Sequence, residues 1–364
     1  MGIKGFNQSG DAFRNLFGRA ARGDSTGRKA LPLEGLRAAG GIVEINGSYT
    51  THMFVSPGPG GFEPDTSQNF IAYQSLPGVL FFVIGGGGGG GYAGGGGSGG
   101  AVSNAITGNT ITVSAGTYPV TIGGGGQSKD SWSETSSNSP SFPTSQPGPV
   151  SVGPDGNREG DNSVWNGYTG LGGGSGGQET GPAGYSNNPT YPEGKPGGSG
   201  GGGASYQNIG PNAPGPATQP GQSQGPNGTN YGSSGGSAAS AGTNYTGGGG
   251  GGIGGAGANT PPSAGGVGGV GLKVPICPPN YGTPGPSPGR WLGGGGGSSQ
   301  YPGTSYSGGA GGGNDGNLPY DPKATIYTNP VNPGTGGGGG GGTGYNNKYS
   351  TRGNPGCVII AYPT

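Results

Sequence analysis

Residues 78–91 read GVLFFVIGGGGGGG: an apolar run with strand character, 78–84, passes without a break into the unbroken glycine run 85–91. The apolar half predicts a buried β-strand. The glycine half is a poor helix, at roughly 1 kcal/mol per residue relative to alanine, and a poor strand, because it has no side chains to pack. Two states remain for it. One is coil; the other is an extended left-handed helix of three residues per turn, whose N–H and C=O groups all point outward. Side by side, such helices bond to one another, and only glycine lets their backbones come close enough.

The pattern recurs. Glycine accounts for 102 of 364 residues, and most of it lies in short runs at 85–91, 94–100, 123–126, 172–177, 197–203, 247–257, 265–271, 293–297, 308–313 and 334–344, several broken by a single Ser, Ala or Thr. Runs of similar length predict one structural element used many times. Val267 and Val270 stand three apart in GGVGGVG, and Ile253 and Ala256 three apart in GGIGGAG, so each pair is expected to share the outer edge of a bundle. At about 3.1 Å per residue a seven-residue run spans roughly 22 Å.

Hydrophobic residues make up 27% of the chain and charged ones 8%, with a formal net charge of zero. A conventional core cannot account for the whole chain, and ordinary disorder calls for a high net charge. Low hydrophobicity with low charge fits a fold held by backbone hydrogen bonds. No apolar run is long enough to span a membrane, so no membrane insertion is expected. The first residues lack the apolar core of a signal peptide, and MGIKGF has Phe6 where a myristoylation start needs Ser or Thr. Synthesis in a cytoplasm is the expectation. Cys277 and Cys357 show no metal-ligand or CxxC spacing and are read as two independent thiols, against the alternative of one bridge between them.

The fold class expected is mostly β and irregular: a small antiparallel β module plus a bundle of polyglycine-II helices with long connecting loops. Residues 1–39 form a basic arm, with Lys4, Arg14, Arg19, Arg22, Arg28, Lys29 and Arg37 against Asp11, Asp24 and Glu34. Phe13, Leu16, Phe17 and Ala20 have helical spacing, and Ser9 is a suitable cap. A short apolar stripe without a core needs a partner, so Phe13, Leu16 and Phe17, flanked by Arg14 and Arg19, are the candidate anchor onto another protein. The alternative is packing on the chain's own downstream domain. One small basic arm is weak evidence for nucleic acid, and none is expected as a partner.

Residues 40–122 are the β module: 41–46 (GIVEIN) alternates, Asn46-Gly47 signals a hairpin, 48–55 (SYTTHMFV) returns, and 108–122 supplies two more strands. Residues 123–344 are the bundle with its loops, and 345–364 contain the closing strand CVIIAY. His52, the only histidine, has no cluster of carboxylates or thiols around it and is read as structural. An enzyme is not expected: a glycosidase needs paired carboxylates, while Asp155, Glu159 and Asp161 read as solvated loop charges. The lone His and the distant Cys residues make no nucleophile–base pair, and the glycine runs match no phosphate loop. No cofactor and no metal site is expected.

The order GGIVEINGSYTTHMFVSPG, then an apolar strand, then VIGGGGGGG resembles the glycine-rich domain recurrent in bacteriophage tail proteins. SAGTYPVTIGGGG at 114–126 and GCVIIAYP at 356–363 resemble two further motifs of that family. The block-and-loop middle is similar to the tip adhesins of long tail fibres, in which polyglycine-II helices stack into a lattice and loops at its end bind bacterial receptors. The resemblance implies a virion protein, made in the host cytoplasm, that docks on a tail or fibre protein through its arm and binds a surface polysaccharide or outer-membrane protein. It departs from those adhesins in the arm and the hairpin module. Tyr and Trp give rigid contact area at low entropic cost. The aromatics of the spacers, Trp132, Trp165, Tyr168, Tyr185, Tyr191, Tyr206, Trp291 and Tyr320, are therefore the receptor-contact candidates, against the alternative that they pack within the fold. An oligomer of identical chains is compatible with the sequence, and no coiled-coil heptad identifies its number.

Overall fold

Alternating side chains build two sheets, and the glycine runs continue from their ends. The structure, a computed structural model, describes residues 37–56, 64–91, 93–127, 159–177, 193–205, 212–239, 246–261, 264–300, 304–316, 336–341 and 350–364. In chain order the strands are β1 (Ala38–Ala39), β2 (Ile42–Asn46), β3 (Tyr49–Val55), β4 (Asp65–Ala72), β5 (Leu76–Ile84), β6 (Ala101–Ser103), β7 (Ile111–Val113), β8 (Gly116–Ile122), β9 (Ser163–Trp165) and β10 (Tyr168–Gly170). There follow β11 (Ala204–Ser205), β12 (Thr229–Tyr231), β13 (Thr246–Gly247), β14 (Leu272–Lys273), β15 (Trp291–Leu292), β16 (Ser299–Gln300), β17 (Thr304–Ser305) and β18 (Cys357–Pro363). Among the described residues helix is confined to one 3-10 turn, Gln219–Gly221. The fold is mostly β with irregular connections. The amphipathic helix expected around residues 13–20 lies outside the described residues.

One sheet runs β12-β6-β5-β18-β3-β2, with β7 also on β5; the other runs β1-β4-β8-β9-β10. All pairings are antiparallel. Alternation explains the layers. Phe81, Val83, Val358, Ile360 and Phe54 face the second sheet and meet Phe70, Val120, Ile122 and Trp165 there. Their neighbours Phe82, Ile84, Ile359, Cys357 and Met53 point the other way, onto Ile253, Val274, Ile276 and Leu292. The first sheet is thus buried on both faces, which is why GVLFFVI and CVIIAY are apolar throughout rather than alternating. The chain crosses between the sheets at Gly40 and Gly41, both at positive φ (110° and 61°), where a side chain would strike the carbonyls of Asn69 and Met53.

The hairpin signal at Asn46-Gly47 holds in place but not in detail. Asn46 pairs with Tyr49, so the turn residues are Gly47, at φ 63°, and Ser48. This is the pattern of a II′ turn rather than the I′ turn that Asn-Gly favours. The β module also reaches beyond residue 122, since β9, β10 and β12 come from the stretch read as bundle and loops.

Outside the sheets the glycine runs lie side by side and bond through their backbones. Segment 94–100 shows the rule. Gly95 and Ser98 donate to Gly248 and Gly251; Gly96 and Gly99 donate to Gly339 and Gly336; Gly97 and Gly100 donate to Gly174 and Leu171. Its carbonyls accept from Gly85, Gly88 and Gly91, from Ser199 and Gly202, and from Gly296, all at 2.7–3.1 Å. The bonding partner changes at each residue and returns at every third. Six neighbouring segments therefore surround this one, and residues 85–91 and 93–100 are all buried. None of the glycines in 85–91 or 94–100 has a positive φ.

The outer-edge expectation holds for the pair Val267 and Val270 and fails for the pair Ile253 and Ala256. Val267 is exposed and Val270 half-buried. Ile253 is buried in the second core cluster, because the chain reverses between Gly252 and Gly255, whose N–H and C=O bond to each other. The run 247–257 is accordingly two segments joined by a turn.

Close approach makes a prediction. A methyl group at Gly250 would collide with the carbonyl of Gly96, whereas one at Gly221 meets nothing within 4 Å. Gly250→Ala is expected to destabilise the protein by at least about 3 kcal/mol, through overpacking and lost backbone bonds. Gly221→Ala is expected to stay within about 0.5 kcal/mol. Urea unfolding of the two variants measures the difference.

Candidate functional site

The glycine bundle has two ends, and the chain treats them differently. At the near end, Ile84 runs into Gly85, Gly100 into Ala101, Ile122 into Gly123, Gly170 into Leu171 and Gly356 into Cys357, so sheets and glycine segments are continuous. Side chains seal this junction. Gln219, fully buried, accepts from Leu171 N–H at 2.7 Å and donates to Thr169 O at 3.1 Å and Asn230 Oδ1 at 2.9 Å. At the other end of β6, away from the lattice, Asn104 accepts from Phe81 N–H at 2.6 Å and donates to Val79 O at 3.1 Å, extending the β5–β6 ladder. At the junction itself the lattice meets the sheets through the buried amide of Gln219, which carries on the backbone bonding. The sequence held no signal for these amides, since a Gln or Asn in a Pro/Gly-rich stretch reads as loop.

The far end is marked by contacts among Gly91 and Gly94, Gly177 and Gly202, Gly203 and Gly248, Ser299 and Ala93, and Gly341 and Gly297. Here the described residues break off and resume. Lys195 N–H bonds Ser175 O, Asn212 N–H bonds Ala238 O, Thr246 pairs with Ser205, Ser299 with Ser305, and Thr351 N–H bonds Gly340 O. The residues flanking 178–192, 206–211, 240–245, 301–303 and 342–349 therefore all sit at this end. Segments 123–127 and 159–162 run towards it from the sheets and flank 128–158 in the same way.

Two receptor-contact candidates are corrected. Trp165 and Tyr168 are buried, at 0% and 3% exposure, on paired positions of the β9–β10 hairpin. The Tyr168 ring lies 4.1 Å from Phe81, and Trp165 lies 5.6 Å from Phe81 and 6.2 Å from Phe70. The Tyr168 hydroxyl donates to Pro226 O at 2.7 Å, and burial raises its pKa. A signal for this was present. Asn166-Gly167 between them is an Asn-Gly pair flanked by aromatic strand formers, and both residues take positive φ, 48° and 79°, as a I′ hairpin requires. The packing alternative therefore holds for these two aromatics.

Trp291 is half-buried, its ring over Gly285 and its Nε1–H donating to Ser287 O at 3.0 Å, in a loop at the near end. Trp132, Tyr185, Tyr191, Tyr206 and Tyr320 lie outside the described residues, as do the anchor candidates Phe13, Arg14, Leu16, Phe17 and Arg19. Among the described residues no group of three His, Cys, Asp or Glu side chains could hold a metal ion, and no helix is long and apolar enough to cross a membrane. Cys277 and Cys357 are free, buried thiols of the second core cluster. Burial pushes the Cys277 thiol up to about 12 and raises Cys357 as well, so neither is a ready nucleophile.

His52 is fully buried. Its Nδ1 lies 2.8 Å from Gly40 O, a group that only accepts, so Nδ1 carries the proton and donates. Nε2, at 3.2 Å, then accepts from the Tyr362 hydroxyl. The ring also meets Phe70 edge-on at 5.2 Å. Burial depresses its pKa below the ordinary 6.5, against the bond to Gly40, which raises it.

Comparison of the chain with protein-family models, with curated proteins and with solved structures finds no match.

Two measurements test this placement. Trp165→Ala is expected to cost about 3–5 kcal/mol in urea unfolding, and Trp291→Ala about 1 kcal/mol or less. For His52 the unfolded chain takes up its proton first. Stability is therefore full above about pH 6.5 and falls as the pH is lowered below it. Unfolding at pH 7.5 and 5 should show this loss in the wild type and a smaller one in His52→Gln.

Proposed function

We propose that the chain is a non-enzymatic virion protein of a phage tail fibre or tail tip. In this reading the glycine segments are polyglycine-II helices, and the far end of their lattice presents Tyr- and Trp-containing loops to the bacterial surface. The three-residue return of bonding partners supports the helix assignment, because a helix of three residues per turn points its N–H groups in three directions.

The observation that carries the functional reading is the convergence of insertions. The flanks of 178–192, 206–211, 240–245, 301–303 and 342–349 gather at one end of the scaffold, and binding residues are disproportionately carried on loops held by a rigid scaffold. With Trp165 and Tyr168 in the core, the remaining candidates are Trp132, Tyr185, Tyr191 and Tyr206, whose segments all attach at this end. Tyr320 belongs to a segment that joins Gly316 at the far end to Gly336 at the near end, and Trp291 to the near end itself. The receptor class is a surface polysaccharide or an outer-membrane protein. Attachment to the tail or fibre protein belongs to the arm, with Phe13, Leu16, Phe17, Arg14 and Arg19, whose chain joins the described fold at Arg37, by the sheets. The burial of Trp165 and Tyr168 favours a second reading, a purely structural virion protein such as a fibre shaft or capsid decoration.

Exchange of single loops separates the two. Replacing 128–158 or 178–192 is expected to change adsorption across host strains while particles stay intact. Replacing 284–289, a near-end turn, is expected to leave adsorption unchanged. If adsorption survives replacement of every far-end segment, the structural reading stands. Random-coil exchange rates for the amides of Gly88, Gly96 and Gly97 would exclude the helical lattice.

A further inference from the structure

The two sheets end differently at β10 and at β2. β10 is an edge of the second sheet, and Trp165 and Tyr168 close its hairpin, so the backbone of Thr169 faces away from β9. A side-chain amide stands there in place of a further strand. Gln224 accepts from Thr169 N–H at 3.1 Å and donates to Thr169 O at 3.2 Å. β2 is an edge of the first sheet, and among the described residues it pairs only with β3. Asn46 and Tyr49 close its turn, so Asn46, Glu44 and Ile42 bond towards β3. The N–H and C=O groups of Val43 and Ile45 face outward and have no partner among the described residues. Lys, Pro or a bulge would blunt such an edge, and IVEIN contains none of these. Its side chains are bare as well. Ile45 is 73% exposed, Val43 53% and Ile42 39%, whereas the other exposed large hydrophobics, Tyr73 and Val267, stand apart from this strand.

An open antiparallel edge is completed by another open antiparallel edge, and β2 of a second copy is one. A two-fold axis brings outward-facing groups together when it passes through residue 43, 44 or 45. With Val43 on the axis, Ile45 would have to pair with Gly41, where the chain crosses to the other sheet. With Glu44 on the axis, two carboxylates stand directly opposite, which is unfavourable. With Ile45 on the axis, Glu44 lies opposite Asn46 of the second copy. The Asn46 amide has a second N–H beyond the one given to Cys277 O, and it suits a carboxylate. Val43 then lies over Gly47, where a Cβ would meet nothing within 4 Å. Charge and space select this register. In it Ile45 exchanges two backbone bonds with its image, and Gly47 N–H donates to Val43 O on either side.

We propose that two copies of the chain pair β2 to β2 about a two-fold axis at Ile45, so that their first sheets run on into one. The Ile45 side chains meet across the axis, each flanked by Val43, and the last open edge of IVEIN is closed. The pairing uses only the β module and does not depend on the virion reading.

Disulfide capture and sedimentation of the full-length protein test this. Opposed residues of a bonded antiparallel pair have Cα atoms about 5.5 Å apart, within the range of roughly 4.4–6.8 Å that a disulfide spans. Ile45→Cys is therefore expected to give a linked dimer on mild oxidation with copper phenanthroline. The wild type sets the background, since Cys277 and Cys357 are both buried. Wild-type protein is expected to show a concentration-dependent dimer at about 100 μM. Ile45→Lys, which sets two ammonium groups on the axis, is expected to weaken that dimer about tenfold or more, with an unchanged urea midpoint to certify the fold. A wild type that stays monomeric at this concentration overturns the proposal. So does a dimer that Ile45→Lys leaves intact, or an Ile45→Cys variant that links no faster than the wild type.

Discussion

The structure depends on backbone packed against backbone with nothing between. In residues 95–100 every N–H bonds a different segment from its neighbours, and several carbonyls of 94–100 accept from still others. A side chain at most positions of the lattice would lie inside a neighbouring carbonyl group. Removing side chains is therefore the condition for forming the bonds, and it explains why glycine comes in runs. A net bond contributes about 1 kcal/mol, while ordering a residue costs about 1–2 kcal/mol. Such a lattice barely holds itself.

The β module offsets that weakness. Strands β5, β6, β8, β10 and β18 run straight into glycine segments, so one end of each segment is placed by a sheet with a large apolar core. Phe54, Phe70, Phe81, Trp165, Val358 and Ile360 fill one face, and Ile84, Ile359, Phe82 and Leu292 the other. With those ends held in register, fewer conformations remain to be lost when the segments bond. Gln219 serves the same junction by supplying a side-chain amide where the backbone ladder would otherwise stop. Order flows from a conventional core into a lattice without one.

That arrangement gives the described fold two poles of different build. The sheet pole carries the described start of the chain at Arg37 and the bare β2 edge. The lattice pole carries the flanks of the inserted segments. A glycine segment has no side chains of its own, so side-chain chemistry at this pole is confined to what is spliced between segments. A rigid lattice can accept long insertions at its end because loop-closure cost grows slowly with length.

Much of this was legible in the residues. Alternation and apolar runs located β2, β3, β5, β8 and β18, because side-chain pattern is what a sheet imposes on a sequence. Glycine runs located the lattice segments, because close approach forbids everything else. The Asn166-Gly167 pair carried a readable hairpin, and with it the burial of Trp165 and Tyr168; an aromatic in a Pro- and Gly-rich stretch otherwise looks the same whether displayed or packed. Which glycine run neighbours which, and where 247–257 reverses, could not be read, since identical residues hold no record of their partners. The sequence by itself determined that glycine segments and apolar strands must coexist. Only the tertiary structure decided their order in space, the recruitment of β9, β10 and β12 into the sheets, and the end at which the insertions gather, because those follow from backbone bonds between residues that carry no distinguishing side chain.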